Sequence, residues 1–120
     1  MVNHELLRDE GILIIRPEGS LQASDFQKIA QEIDPYIESH GKLHGVMIDA
    51  PAFPGWKDFA ALLAHFNFVK GHHQKIDKIA AVSDSSFLTI APQIASHFIQ
   101  ADIRHFAHSE FDNALAWLRQ

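Results

Sequence analysis

The chain of 120 residues contains no cysteine. That excludes a disulfide framework, a thiolate nucleophile and a cysteine-type zinc site, and it fits a reducing cytoplasm. An excess of basic residues is also missing. Ten Lys and Arg stand against 15 Asp and Glu, for a formal net charge of −5. A phosphate backbone needs a basic face, so nucleic acid is not an expected partner. No apolar run approaches the roughly 20 residues of a membrane span. The opening Met1-Val2-Asn3-His4-Glu5 lacks the basic and apolar regions of a signal peptide. Repeats, low-complexity stretches and linkers are absent too. The expectation is a cytoplasmic protein with a single domain over residues 1–120, and its 47% hydrophobic residues, nine of them Phe, are ample for one core.

What is present alternates between two periodicities. Leu6 and Leu7 lead into the turn signal Asp9-Glu10-Gly11 and then into Ile12-Leu13-Ile14-Ile15, a run apolar on both faces. Ser24 reads as a helix cap with Gln27 closing a capping box. Phe26, Ile29, Ala30, Ile33 and Ile37 follow at helical spacing, with Pro35 expected to kink or restart the helix and Gly41 to stop it. Strands are expected at Val46–Asp49, Lys78–Ser83 and Ile103–Ala107. Further helices are expected over Phe59–Val69, over Phe87–Phe98, and after Ser109, which pairs with Asp112 as a second capping box. Strands alternating with helices imply right-handed crossovers. The fold class is α/β: a five-stranded mixed sheet, mainly parallel with one antiparallel edge strand, and about four helices.

This order resembles the SpoIIAA-like family, in its STAS/Sec14-like branch, relatives of anti-sigma-factor antagonists. The resemblance covers nearly the whole chain. It is carried by Ile48-Asp49, Phe53-Pro54-Gly55-Trp56, His72-His73, the stretch Lys78-Ile79-Ala80-Ala81-Val82-Ser83-Asp84, and Ala114-Leu115-Ala116-Trp117-Leu118. Typical relatives place a Gly-Asp pair after the third inner strand, where this chain has Ser83-Asp84. Antagonists that switch by phosphorylation carry a serine directly after the Asp that ends the second inner strand. Ala50 and Pro51 stand in that place here, and neither has a hydroxyl.

Ligands of open α/β sheets gather at the carboxyl ends of the strands, which directs attention to Asp49, Phe53, Trp56, Ser83 and Asp84 as ligand- or partner-binding candidates. Asp49 reads as a functional carboxylate or as a loop cap that accepts backbone N–H groups, and the capping role is favoured because no second carboxylate lies beside it. Phe53 and Trp56 either wall an apolar pocket or plug the core. Ser83 and Asp84 are ordinary capping residues, without a Gly-x-Ser-x-Gly elbow. The nine histidines complete no ligand set: Gly71 interrupts the helix between His65 and the pair His72-His73, no Asp or Glu lies one turn from His65, and His105 and His108 point to opposite strand faces. Lys70, His72, His73, Lys75 and Lys78 read as cations at a helix C-terminus. No catalytic residue, metal or cofactor is expected.

The resemblance implies a non-catalytic regulatory or scaffold module that binds a partner protein, or the chain itself as a homodimer, without the phosphoserine switch. The alternative is a binding or carrier domain for an apolar small molecule or lipid. Protonating all nine histidines takes the formal charge from −5 to +4, and chains near zero net charge associate. Solubility measured from pH 7.5 to 5 is therefore expected to dip near the sequence pI of 5.9. A flat profile would show that several histidines are held neutral by burial.

Overall fold

The turn after Leu7 closes a hairpin, with the N–H groups of Glu10 and Gly11 donating to the Leu7 carbonyl at 3.1 and 2.9 Å. It joins β1 (Val2–Leu7) to β2 (Ile12–Pro17) as an antiparallel pair. The computed structural model describes residues 2–19, 21–50, 76–84, 88, 91–92 and 101–120. Within them lie three further strands, β3 (Leu43–Ala50), β4 (Ile76–Ser83) and β5 (Asp102–Phe106). The sheet order is β1-β2-β3-β4-β5, and every pair from β2 onward is parallel. This is the mixed sheet with one antiparallel edge that the sequence pattern implies.

Two α-helices, not four, fall within the described residues: α1 (Ala23–His40) and α2 (Phe111–Arg119). The helices expected over Phe59–Val69 and Phe87–Phe98 lie outside them, apart from Leu88, Ala91 and Pro92. None of the described helices is long and apolar enough to cross a membrane.

Strand alternation divides the apolar residues between two layers. Leu13, Ile15, Val46, Ile48, Ile79 and Ala81 pack with Phe26, Ile29, Ile33, Tyr36 and Ile37 of α1. Ile12, Ile14, Met47, Ala80 and Val82 pack with Ala114 and Leu118 of α2. Ile12 through Ile15 are all buried, as a run apolar on both faces requires. Each such side chain contributes about 1.5–3 kcal/mol relative to exposure.

Both helix starts differ from the capping boxes read from sequence. Helix α1 begins at Ala23, so Ser24 lies inside it, and the Gln22 N–H donates to Asp25 Oδ2 at 2.9 Å. A carboxylate is the stronger acceptor here and also meets the positive end of the helix, which Gln27 cannot do. At the other end of the chain, a 3₁₀ turn (His108–Glu110) precedes α2, and the Ala107 N–H donates to Glu110 Oε1 at 2.9 Å. Glu110 thus closes the turn in place of Asp112. Helix α1 also runs through Pro35 without restarting. Buried Ile33, Tyr36 and Ile37 on either side of Pro35 hold that segment against the sheet. Gly41 ends the helix as expected, at φ +87° with its N–H donating to the Ile37 carbonyl at 2.6 Å.

Gly45 in β3 lies directly under Leu118 of α2. A Cβ built there would lie 2.8 Å from Leu118 Cδ2 and 3.3 Å from Leu118 Cβ. Leu118 is fully buried and cannot swing clear. Gly45→Ala is expected to cost about 1–3 kcal/mol by overpacking, and Leu118→Ala about 2–5 kcal/mol by leaving a cavity. In urea unfolding, the double variant is expected to lose less than the sum of the two, because the new methyl enters the vacated space. Strict additivity would mean that the two residues do not touch.

Candidate functional site

The parallel strands end along one edge at Arg16 and Pro17 of β2, Asp49 and Ala50 of β3, Ser83 of β4 and Phe106 of β5. Alternation sends the polar side chains of this edge to two different faces. Arg16 shares a face with Ile12 and Ile14, Asp49 with Met47, and Glu5 with Leu7, all on the α2 side. Ser83 shares a face with Ile79 and Ala81, and His105 with Ile103, on the α1 side.

On the α2 side, Arg16 bridges three strands. Its Nε donates to Asp49 Oδ2 at 3.2 Å, and its Nη1 lies 3.6 Å from Glu5 Oε1. Asp49 is 18% exposed and Arg16 37%. Asp49, read from sequence as a loop cap or a functional carboxylate, therefore takes a side-chain donor from the adjacent strand. The signal for this was weak, because Arg16 and Asp49 are 33 residues apart and only the parallel register, with Ile15 opposite Ile48, brings them together.

On the α1 side, Ser83 is fully buried. Its hydroxyl donates to the Asp84 carbonyl at 2.8 Å. His105, which is not adjacent in sequence, brings Nε2 to 3.3 Å from Ser83 Oγ and to 3.1 Å from the carbonyls of both Ser83 and Asp84. Carbonyl oxygens only accept, so Nε2 carries the proton and donates. A nitrogen that donates has no lone pair free to take the Ser83 proton. The contact ties β5 to the end of β4 and does not form a nucleophile–base pair. Asp84 is exposed. Phe53 and Trp56, with the pocket or plug expected around them, lie outside the described residues, as do Ser85 and Ser86.

Two further clusters bear on the sequence reading. Lys78 stands on β4 and not at the end of the second helix, and its Nζ donates to the Trp117 carbonyl at 3.1 Å, at the C-terminus of α2. The preference of cations for helix C-termini holds, but on a helix that sequence proximity did not suggest. His40 and His44, a pair four apart that the sequence reading passed over, are separated by the Gly41 cap. His40 Nδ1 contacts the Tyr36 carbonyl at 3.0 Å, and its ring stacks on Tyr36 at 4.0 Å. His44 Nδ1 lies 3.8 Å from Asp77 Oδ2, an oxygen that Lys42 Nζ approaches to 2.7 Å. A lysine on that oxygen competes with any cation. Among the described residues, no three His, Asp or Glu side chains converge as metal ligands. The hairpin turn carries an open depression lined by Leu6, Leu7, Arg8, Asp9 and Glu10.

The Arg16–Asp49 pair is half-buried, so it is expected to exceed an exposed ion pair only modestly. A double-mutant cycle with Arg16→Gln and Asp49→Asn is expected to give a coupling of about 1 kcal/mol at low salt, shrinking as ionic strength rises. Zero coupling at low salt would show that the pair does not organise this edge.

The SpoIIAA-like family model matches residues 12–119, beginning at the first residue of β2. No curated protein and no solved structure matches the chain. A match over that span covers four of the five strands and both described helices, and the chain belongs to the SpoIIAA-like family.

Proposed function

We propose that this chain is a non-catalytic regulatory or scaffold module that binds a partner protein and works without a phosphoserine switch. The observation that carries the reading is the end of β3. Ala50, which follows Asp49 where switching antagonists place serine, is buried and has no hydroxyl. The residue opposite it in register is Ser83, fully buried with its proton committed to a carbonyl. Neither offers a kinase an acceptor. The same edge supports a non-enzymatic role, because Arg16 neutralises Asp49 and His105 is turned to carbonyl oxygens. Family membership adds support, since relatives of anti-sigma-factor antagonists act by protein contact.

The test is native mass spectrometry of the chain purified gently from its own cell. One recurrent protein partner at fixed stoichiometry, with no phosphate on the chain, is the expected result. A bound species of a few hundred daltons and no protein would favour the alternative, an apolar ligand held near Phe53 and Trp56. Phosphate on Ser83 would remove the switch-free part of the reading.

A further inference from the structure

The α2 face of β4 and β5 holds a group of side chains that the carboxyl edge does not use. Two cations lie over the Trp117 ring of α2, with Lys78 Nζ 5.2 Å and Arg104 Cζ 5.6 Å from its centroid. Arg104 Cζ is also 5.9 Å from the Phe106 ring, which packs on Trp117 at 5.9 Å with the planes tilted by 52°. Arg104 is exposed, and Trp117 and Phe106 are half-buried. Arg16, Lys42 and Arg119 each face a carboxylate. Among the described residues Lys78 and Arg104 face rings instead, although Asp102 stands opposite Lys78 in the strand register.

We propose that this cluster is the docking surface for the partner protein, and that it takes an acidic segment bearing an apolar side chain; this rests on the partner-binding reading above. Stacking on a ring holds the guanidinium in place while its edge N–H groups stay free to grip a carboxylate as a fork. Lys78 spends one of its three donors on the Trp117 carbonyl and keeps two. The exposed parts of Trp117 and Phe106 then cover the apolar side chain, a pairing of aromatic and Arg typical of residues that dominate interfaces. Charge selects the occupant. The chain carries a net charge of −5, and Lys78 and Arg104 present positive charge held on ring faces, which an acidic segment complements. Among the described residues this cluster has two cations, fewer than the about four to ten that a nucleic-acid backbone or an anionic bilayer engages.

The test places a photo-cross-linking residue at exposed position 116 of α2, and separately at exposed position 84 beyond β4, in the full chain in its native cell. Expected is a protein cross-link from position 116, through a peptide of net negative charge. It should fall about tenfold with Arg104→Glu, the scale of inverting one interface charge, and survive in Arg104→Lys. Thermal melting of both Arg104 variants is expected to match the parent, because the side chain is exposed. A protein cross-link from position 84 alone would overturn this surface and leave the partner-binding reading standing. Cross-links from neither position would overturn both. Capture of lipid or nucleic acid at position 116, a neutral or basic peptide there, or indifference to Arg104→Glu would overturn the surface.

Discussion

A strand such as Ile12–Ile15, apolar at every position, is stable only when packed side chains cover both of its faces. That demand organises the molecule. Val46, Met47 and Ile48 in β3 and Ile79–Val82 in β4 repeat the pattern, so the centre of the sheet is buried above and below. Helix α1 supplies five buried side chains to one face. Helix α2 is half as long and seats Leu118 over Gly45, where a larger residue would hold it off. Arg119 then clips the end of α2 to Glu10 of the hairpin turn at 2.8 Å, so the last element of the chain is held by one of the first.

With the centre given over to packing, polar contacts among the described residues gather at the rims, and the groups named at the carboxyl edge are answered by neighbours. Glu5, Arg16 and Asp49 form one bridge across three strands, and Ser83, His105 and two carbonyls form another. Groups satisfied in this way stabilise an edge, whereas catalysis needs a base or nucleophile with capacity to spare. The cluster of Lys78, Arg104, Phe106 and Trp117 is different. Its cations are met by ring faces, which order them without quenching their charge. Such an ordered, unquenched patch fits the partner-binding role proposed above.

The fold was legible wherever periodicity was unambiguous. The turn at Asp9–Gly11, the double-faced runs and the stripe from Phe26 to Ile37 each admitted one interpretation, and the strands came out within a few residues of their observed ends. The capping boxes were not legible in the same way. Ser24 and Ser109 satisfy the pattern by residue type, yet Asp25 and Glu110 present charged acceptors at the same spacing from an earlier backbone N–H and take the hydrogen bond. Pro35 carried a breaking signal that local propensity could not overcome, but burial of its neighbours did. Helix propensity is a weak term beside tertiary packing.

The sequence alone determined the described strands and the two described helices, the family, and the absence of a hydroxyl after Asp49. Each of these depends on residue type or on spacing within a short window. Which polar groups meet was decided by the tertiary structure. Arg16 and Asp49 are 33 residues apart, Ser83 and His105 are 22 apart, and Lys78 and Trp117 are 39 apart. Those pairs exist because parallel register and the seating of α2 set strand ends and helix end side by side, and register is fixed by the burial of a whole face, not by any one residue along it.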